Sequence, residues 1–454
     1  MKKIMLIGMM AVAGAVTARP PNYDESKVAP YTLEDPLTFA DGRKLKSAAD
    51  WPARRKEILE IFAREMYGQP PPPPETVVTE LIEEGATLGG LAIRRQYKMW
   101  FKADKSGPMI DWIVFLPNRI QGLSPLNKNG KAPPCENEQK VPVILFLNYR
   151  GNQELVTDPE VVFPANIWVR NNKSLDCQDH KPDFEKTRGR QRRTVETSVF
   201  PLETIIARGY AVMSACYGQV SPDVEERDVK LGTPRETAYT GVFTLWPKRD
   251  ESRDDNTTAL GAWAWALSRG LDLAERIPEI DATKSVATGC SRLAKTALLA
   301  AARDERFAVC VPNQTGGGGV PLAKRDYGEN VSTEMNMFHH WYCKAYNKYV
   351  DNEQAMKFDQ HLIVAAIAPR RILVQGFNSG WFDTKGEFLS CRAASPAWEF
   401  LDLPGLPAGD FPANYDTGRI GTHLGYVRRG GQHGITGYDW MWTLDFADKA
   451  FGKK

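Results

Sequence analysis

The sequence predicts an α/β fold of three layers, in which a mostly parallel central sheet is covered by helices on both faces. The first observation is a series of short, fully apolar runs of the kind that form buried strands. These runs occupy residues 110–116, 141–147, 210–216, 285–288, 307–311 and 371–374. The second observation is that helical patterns separate several of the runs, most clearly at residues 256–277 and 293–303. A helix between two strands returns the chain across the sheet, so the alternation favours parallel pairing.

The composition is that of an ordinary globular protein with a sizeable core. Hydrophobic residues make up 42% of the 454 residues, charged residues make up 25%, and the formal net charge is +2. A chain so close to neutral gives no electrostatic reason to expect nucleic acid or an anionic membrane as a partner. Beyond the first residues, no apolar run reaches the length of about 18 residues that a transmembrane helix needs. We therefore expect no nucleic-acid partner and no membrane partner.

Residues 1–18 have the pattern of a secretory signal peptide. Two lysines precede an apolar stretch over residues 4–16, and small residues at positions 16–18 offer a cleavage site. We expect a secreted or periplasmic bacterial protein in which residues 19–454 form a single catalytic domain with long loop insertions. The proline run at residues 70–74 is interpreted as a surface connector within that domain, with a domain linker as the alternative.

The cysteines and histidines show no metal-binding pattern. The chain has seven cysteines, so at least one is unpaired within the chain if disulfides form after export. No CxxC pair, no HExxH motif and no Cys/His cluster with zinc spacing occurs. We expect no metal and no cofactor.

A strand, a sharp turn and a helix surround Ser291. The apolar run at residues 285–288 leads into Gly289-Cys290-Ser291-Arg292, and a helical pattern begins at once. A nucleophile elbow needs small neighbours around its serine, and Gly289 and Ala294 are small. The motif therefore predicts an α/β-hydrolase fold with Ser291 as the nucleophile, and a structural serine is the alternative. The helix N-terminus places backbone N–H groups where an oxyanion would form.

Two further residues are candidates for the catalytic machinery. Arg292 could donate hydrogen bonds to a developing oxyanion, or it could be a surface residue in a salt bridge. In α/β-hydrolases the histidine comes last in the chain. His433 lies in the glycine-rich segment Arg428–Gly434, just before the last helical pattern, and is predicted to be the general base. His423, ten residues earlier, is its rival.

At these residues the chain resembles the glucuronoyl esterases, carbohydrate esterase family fifteen. Gly289-Cys290-Ser291-Arg292 with Lys295 is similar to the serine motif of that family, and Ala262–Arg269 is similar to the helix before it. Asn148–Asn152 resembles the family's loop after an early strand. Four later segments resemble the bacterial branch: Asp351–Glu353, Asp359–His361, Ala368–Arg370 and Gly386–Ser390. The resemblance covers most of residues 50–450.

The resemblance implies a substrate and a mechanism. Members of the family cleave the ester between 4-O-methyl-glucuronate on xylan and a lignin alcohol. Carried over to this sequence, Ser291 is the nucleophile, Arg292 stabilises the oxyanion and His433 is the base. No cofactor is implied, and a monomer is expected.

The same resemblance implies three residues that bind the sugar. Lys295, Glu329 and Trp381 stand where members of the family contact the sugar hydroxyls and ring. A charged pair can hydrogen-bond neighbouring hydroxyls, and an indole face suits the apolar face of a pyranose. Without the resemblance, these residues would be interpreted as a helix-surface lysine, a salt-bridged loop acid and a core tryptophan.

The expected catalytic acid is missing from both usual positions. The family commonly places a glutamate about one strand after the serine, and Gln314 stands there. Some bacterial members place an acid two residues before the later tryptophan, where this chain has Ser379. The acid fixes the imidazole tautomer and stabilises the imidazolium, and in serine proteases its replacement by an amide costs about 10⁴-fold in rate.

Three explanations of the missing acid stay open at this point. An amide or hydroxyl side chain could orient His433 by hydrogen bonding. The neutral candidates are Gln314, Asn378 and Ser379. An unconventional acid, Asp383 or Glu387, could reach the histidine instead. The protein could also be a weakened enzyme, or a homologue that only binds glucuronoxylan.

The leading prediction from the sequence is a secreted serine esterase that acts on glucuronoxylan or lignin–carbohydrate esters. One alternative is another carbohydrate esterase, acting on acetyl or methyl uronate esters. The other is a glucuronoxylan-binding protein with weak or no catalysis, which the neutral residues at both acid positions would favour.

Overall fold

A ten-stranded mixed sheet forms the centre of the molecule in the computed structural model. The strands are β1 Val78–Thr87, β2 Ala92–Trp100, β3 Met109–Pro117, β4 Val141–Asn148, β5 Cys177–Gln178, β6 Lys181–Pro182, β7 Ala211–Cys216, β8 Ile280–Cys290, β9 Val309–Asn313, β10 Arg371–Phe377, β11 Thr417–Ile420 and β12 Leu424–Arg429. The order across the sheet is β1-β2-β3-β7-β4-β8-β9-β10-β12-β11, and β5 pairs with β6 separately. The six strands from β7 to β12 in that order pair in parallel, whereas β1, β2, β3 and β11 pair antiparallel at the two edges.

The structure describes residues 19–118, 140–164, 166–190 and 200–453. The α-helices are α1 Trp51–Phe62, α2 Phe184–Thr187, α3 Leu202–Ala207, α4 Tyr217–Val220, α5 Glu226–Lys230, α6 Ala259–Ala274, α7 Arg292–Arg303, α8 Val331–Met337, α9 Gln360–Ala365, α10 Thr384–Ala394, α11 Pro396–Glu399 and α12 Gly437–Phe451. None of the helices in these residues is long and apolar enough to cross a membrane. The predicted signal peptide, residues 1–18, lies outside the described residues.

The central strands are buried on both faces because successive side chains point into two different cores. In β4, Ile144 and Phe146 pack in the layer that contains α3 and α12. Val143 and Leu145 pack in the opposite layer, with α1, α6 and α7. These two layers of helices make the three-layer α/β-hydrolase fold that the sequence predicts, and that prediction is confirmed.

All six apolar runs lie at least partly in strands of the sheet, in β3, β4, β7, β8, β9 and β10. The antiparallel strands β1 and β2 were not among the predicted strands. Buried side chains do not follow one another along β1 or β2. These are the two outermost strands on one side of the sheet, and they carry many charged residues. A search for continuous apolar runs therefore does not find them.

Six cysteines fall within the described residues, and all six are free and buried. They are Cys177, Cys216, Cys290, Cys310, Cys343 and Cys391. Cys135 lies outside the described residues. Within the described ranges, no group of three or more His, Cys, Asp or Glu side chains could hold a metal ion.

Candidate active site

Ser291 occupies a strained turn between β8 and α7. Its backbone angles are φ 59° and ψ −129°, a combination that residues other than glycine rarely adopt. Gly289 permits the turn, because a Cβ there would lie 2.3 Å from the carbonyl oxygen of Leu293. The Ser291 N–H donates to the carbonyl of Asn313 at 3.0 Å, which ties the turn to the end of β9. Ser291 thus lies at the carboxyl edge of the parallel strands and immediately before a helix N-terminus.

The loop after β4 approaches the same turn. The Tyr149 hydroxyl donates to the carbonyl of Cys290 at 2.6 Å, and burial raises the pKa of Tyr149. The Gly151 N–H donates to Asn148 Oδ1 at 2.8 Å and shapes the loop. This is the segment that resembles the family's loop after an early strand, and the structure places it beside the turn at Ser291.

Gln314 makes one hydrogen bond to His433 and two to the backbone of Gly434. Gln314 Oε1 accepts from His433 Nδ1 at 2.7 Å and from the Gly434 N–H at 2.9 Å. Gln314 Nε2 donates to the Gly434 carbonyl at 2.8 Å. The backbone of Gly434 therefore determines which end of the amide faces the histidine, and the end that faces it is the oxygen. Because an oxygen can only accept, His433 Nδ1 carries the proton and Nε2 is the free acceptor.

The environment of His433 keeps its ring neutral. Burial lowers the pKa of His433 to about 4, and the positive charge of Arg292 adds to the shift. Arg429 and Lys295 act in the same direction. The ring packs against Phe382, at 4.6 Å between centroids. Gln314 is neutral and does not offset the lowering of the pKa by burial and by these positive charges. His433 therefore stays unprotonated, and able to accept a proton, down to about pH 4.

The other candidates for the third triad member have different surroundings. Asp383 pairs with Arg325 at 2.9 Å and caps α10 by accepting from the Gly386 N–H at 3.0 Å. Asn378 is exposed and Ser379 is partly exposed, after the end of β10. Glu387 is buried, and its Oε1 accepts from the Thr315 hydroxyl at 3.3 Å. Among the described residues, the side-chain hydrogen bond to His433 comes from Gln314.

His423 lies at the opposite edge of the sheet from the nucleophile turn. His423 precedes β12 and accepts the Ile372 N–H through its carbonyl at 2.8 Å, whereas His433 follows β12. The strand between them has six residues and spans about 20 Å. This placement argues against His423 as the base.

Arg292 is held in a buried ion cluster. Its Nη1 donates to Asp223 and, at 2.8 Å, to Glu225 Oε1. The guanidinium carbon lies 4.7 Å from the centroid of the Trp341 ring. Its Nε is buried and has no hydrogen-bond partner among the described residues. The structure therefore leaves Arg292 Nε as a fixed, unpaired donor in the side chain that follows the nucleophile.

Asp223 is the centre of that cluster and was not predicted from the sequence. Its Oδ1 accepts from Trp341 Nε1 at 2.8 Å and lies 2.8 Å from His340 Nε2, while its Oδ2 accepts from the Tyr217 hydroxyl at 3.0 Å. Burial alone would raise the pKa of Asp223, but the charge of Arg292 outweighs burial and holds the pKa well below its usual range. A local pattern could not identify Asp223, because all its partners except Tyr217 are distant in sequence, from Arg170 to Trp341.

The three predicted sugar-binding residues lie near each other. Lys295 Nζ lies 3.4 Å from Glu329 Oε2, and both side chains are almost fully buried. The Glu329 N–H donates to the carbonyl of Trp381 at 2.8 Å, so the main chains of these two residues are joined. Lys295 Nζ also lies 4.7 Å from the centroid of the Trp341 ring. Sequence reasoning did not single out Trp341.

Glu334 is a second residue that the sequence did not indicate. Both of its carboxyl oxygens are buried without a hydrogen-bond partner among the described residues. Burial raises the pKa of Glu334 well above its usual range, and the charge of Lys295 opposes the shift. The residue lies behind Gly317, where an added Cβ would come within 2.5 Å of Glu334 Oε1. Glu334 thus lies close to the buried Lys295–Glu329 pair.

A cavity of about 1020 Å³ opens beside Arg292. Its walls include Tyr239 and Phe338, which offer ring faces, and Asn336 and His339, which offer polar groups. Both ring nitrogens of His339 are buried without a hydrogen-bond partner among the described residues. The cavity therefore has room and polar groups for parts of a substrate beyond the reacting ester.

Comparisons with known proteins identify the family of the chain. A family model described as glucuronyl esterase, fungi, matches residues 229–402. A protein named Carbohydrate esterase MZ0003, from an unknown prokaryotic organism, is 33% identical over 432 residues, which are 94% of this chain and 91% of that protein. A 4-O-methyl-glucuronoyl methylesterase of Phanerochaete carnosa is 31% identical over 382 residues, which are 82% of this chain and 73% of that protein.

The fold is shared with a solved structure over nearly the whole chain. The glucuronoyl esterase from Solibacter usitatus is 33% identical and superposes with a TM-score of 0.79, covering 94% of this chain and 100% of that chain. The resemblance seen in the serine motif is thus confirmed, and the protein is a carboxylic ester hydrolase. The chain belongs to the glucuronoyl esterases, carbohydrate esterase family fifteen.

Proposed function

We propose that the protein hydrolyses the ester between a 4-O-methyl-glucuronoyl side chain of xylan and a lignin alcohol, through an acyl-enzyme on Ser291. The observation that best supports the serine mechanism is the hydrogen bonding of Gln314 to His433 and Gly434. It selects the tautomer in which His433 Nε2 is the acceptor, and a general base needs that tautomer. A neutral side chain thereby performs the orienting part of the work of the missing acid.

The proposed reaction has two halves. His433 Nε2 takes the proton of the Ser291 hydroxyl while the serine oxygen attacks the uronate carbonyl. The N–H groups at the start of α7 and the Nε of Arg292 stabilise the oxyanion. The imidazolium then gives its proton to the departing alcohol, and an acyl ester on Ser291 remains. Water, activated by His433, attacks this ester and releases the uronate.

The spacing of Ser291 and Lys295 supports a uronate substrate. Lys295 lies in the first turn of α7, four residues after Ser291, so the two α-carbons are about 6 Å apart along the helix axis. A pyranose ring spans a similar distance from its carboxyl group to its far hydroxyls. With the carbonyl at Ser291, the hydroxyls would reach Lys295 and Glu329, and the ring would lie beside Trp381.

The neutral residue at the acid position favours a second candidate, a protein that binds glucuronoxylan with little or no turnover. Gln314 orients the ring of His433 but cannot stabilise its positive charge as a carboxylate does. Another carbohydrate esterase activity, on acetyl or methyl uronate esters, is a nearer alternative. The buried Lys295–Glu329 pair, which suits sugar hydroxyls, supports a uronate rather than an acetyl ester.

We also propose that the protein is exported, with cleavage after Ala18, and that it acts as a monomer without cofactor. Mass spectrometry of the protein recovered from the culture medium or periplasm would then give Arg19 as its first residue. Recovery of the full-length chain from the cytoplasm alone would contradict export.

The deciding experiment measures hydrolysis of benzyl glucuronate by the purified protein, with Ser291→Ala as the control. We expect turnover by the wild type and none by the variant. Activity that survives in Ser291→Ala would contradict the acyl-enzyme mechanism. A folded wild type that binds glucuronoxylan without turnover would support the binding role, and turnover of acetylated xylan alone would support an acetyl esterase.

A further inference from the structure

An extended arm lies against the two segments that carry Glu329 and Trp381. We define this N-terminal arm as residues 19–34. The carbonyl of Asn22 accepts the Gly328 N–H at 2.8 Å, and the next N–H, that of Glu329, donates to Trp381 at 2.8 Å. Three segments of chain thus run side by side, with the segment before Glu329 in the middle.

The arm contacts each of the five residues 324–328. Lys324 Nζ lies 2.8 Å from Glu34 Oε1. Arg325 Nη2 lies 2.9 Å from Glu25 Oε2. Arg19 Nη2 lies 2.7 Å from Asp326 Oδ1. The Tyr327 hydroxyl donates to the carbonyl of Tyr23 at 3.0 Å, and Gly328 donates to Asn22 as described above. Five successive contacts of this kind hold the segment that leads to Glu329 in one register.

Glu25 joins the two segments to each other. Its carboxylate accepts from Arg325 and, at 2.7 Å, from Lys385. Arg325 in turn contacts Asp383 at 2.9 Å, two residues after Trp381. Arg325 is 3% exposed, so its charge depends on Glu25 and Asp383 for compensation. Loss of Glu25 would therefore loosen both segments at once.

Tyr23 lies at the edge of the sugar-binding residues. Its ring meets the Tyr327 ring edge to face, with 6.4 Å between centroids, and a Cβ on Gly380 would lie 3.0 Å from it. Burial raises the pKa of Tyr23, and the nearby charge of Glu329 adds to the shift. Yet 52% of Tyr23 is exposed, so part of the ring faces solvent beside Glu329 and Trp381.

We propose that the N-terminal arm positions Glu329 and Trp381 for sugar binding, and that the Tyr23 ring forms the outer edge of the sugar subsite. The inference rests on the proposed function for its substrate. Among the described residues, no hydrogen bond or ion pair joins the arm to Ser291, Gln314 or His433. The arm therefore determines how tightly the sugar binds and leaves the chemistry at Ser291 unchanged.

The first test compares a sugar ester with an ester that has no sugar. In Tyr23→Ala and Glu25→Ala, we expect KM for benzyl glucuronate to rise by about 5- to 10-fold, the equivalent of roughly 1 kcal/mol of lost contact. We expect kcat to stay within about twofold, because the reacting groups are untouched. The kcat/KM for 4-nitrophenyl acetate should stay the same. Tyr23→Phe, which keeps the ring, should restore KM.

The second test needs no turnover. Hydrogen–deuterium exchange should become about tenfold faster at the amides of Gly328 and Glu329 in Glu25→Ala. Glu80→Ala, which breaks the exposed Lys105–Glu80 pair of 2.6 Å at the edge of the sheet, is the matched control and should change neither exchange nor KM.

Each outcome decides the proposal. Unchanged KM and unchanged exchange in both arm variants would overturn it, and so would an equal loss on both esters, which would assign the arm to the fold in general. If the wild type cleaves 4-nitrophenyl acetate but not benzyl glucuronate, the proposed substrate fails. The exchange result would then still decide whether the arm positions Glu329.

Discussion

Gln314 separates two tasks that one carboxylate performs in the Ser-His-Asp triad. It orients the imidazole through a 2.7 Å contact with His433 Nδ1, but it has no charge with which to stabilise the imidazolium. Because Gln314 is neutral, it does not offset the effect of burial, which lowers the pKa of His433 to about 4. As the proposed base, His433 is therefore neutral and competent at lower pH than an ordinary histidine, but it is also a weaker base.

The pH dependence of catalysis follows from this arrangement. Because kcat/KM reports the pKa of the free enzyme's base, we expect its acid limb to have a midpoint near pH 4, where His433 becomes protonated. In Gln314→Glu, the new carboxylate stabilises the protonated ring and raises the pKa of His433. The midpoint should then move upward by about 1 to 3 pH units. The measurement is a pH–rate profile with benzyl glucuronate.

A second variant tests whether the new carboxylate must contact His433 directly. Asn378→Asp adds a carboxylate at the same edge of the sheet but on an exposed residue, so solvent should screen it and the midpoint should move by less than about half a pH unit. A wild-type midpoint near 6.5, or an unmoved midpoint in Gln314→Glu, would contradict this account of His433.

Arg292 has a structural task as well as its proposed catalytic one, and two variants separate them. In Arg292→Met, Asp223 and Glu225 lose a buried partner, so the free energy of unfolding should fall by about 3 to 5 kcal/mol. The kcat should fall by about 10²- to 10³-fold as an oxyanion donor is lost. Arg292→Lys keeps the charge but not the planar donor, so it should recover most of the stability and little of the kcat. Urea unfolding and benzyl glucuronate kinetics measure both, and a kcat in Arg292→Lys within about twofold of the wild type would exclude the oxyanion role.

The junction of β8 and α7 stores strain at the reacting residue. Ser291 is held at φ 59° and ψ −129° by its hydrogen bond to Asn313 and by the close approach of Gly289 to Leu293. The element is therefore less stable than its composition would allow. The turn places Ser291 at the carboxyl edge of the parallel strands, the edge at which His433 follows β12.

A pair of inactive variants would measure that strain. Ser291→Ala keeps the unfavourable backbone geometry, whereas Ser291→Gly relieves it because glycine adopts this conformation freely. We expect the free energy of unfolding of Ser291→Gly to exceed that of Ser291→Ala by about 1 kcal/mol, even though glycine makes the unfolded chain more flexible. Chemical denaturation measures the difference. At Ala300, inside α7, a glycine should destabilise instead, and equal or lower stability of Ser291→Gly would argue against strain at the junction.

At the scale of the whole molecule, features formed by residues close together in the sequence could be predicted, and contacts between residues far apart in the sequence could not. Five of the six parallel strands were predicted because strands buried on both faces leave continuous apolar runs. The parallel strand β12, which ends in two arginines, and the half-exposed strands β1 and β2 leave none. Ser291 stands out because an elbow is a local pattern, whereas Lys295 was indicated only by the resemblance to the family. The sequence could not show which of the candidates contacts His433. The contact of Gln314 depends on how the loops after β9 and β12 meet. The contacts of the N-terminal arm were not predicted, since its partners lie about 300 residues away.

The whole fold also determines the reactivity of the thiols. All six cysteines in the described residues are buried, five of them within the two cores, and none is paired. Burial raises the pKa of Cys177 to about 11 and that of Cys216 to about 12, so the thiolate form is scarce at neutral pH. Because the thiolate is the species that reacts, both access and ionisation protect these residues until the core opens.

Thiol labelling should therefore report global unfolding. In a Cys135→Ser background, which leaves only these six thiols, we expect almost no reaction with 5,5′-dithiobis(2-nitrobenzoate) in the native state and reaction of all six in guanidinium chloride. Adding Leu231→Cys, at a position that is 84% exposed, should give one thiol that reacts at once. The labelling rate at intermediate denaturant should follow the free energy of unfolding, since opening exposes both cores together. Rapid native labelling of a core cysteine would show instead that one of the two helical layers opens independently of the sheet.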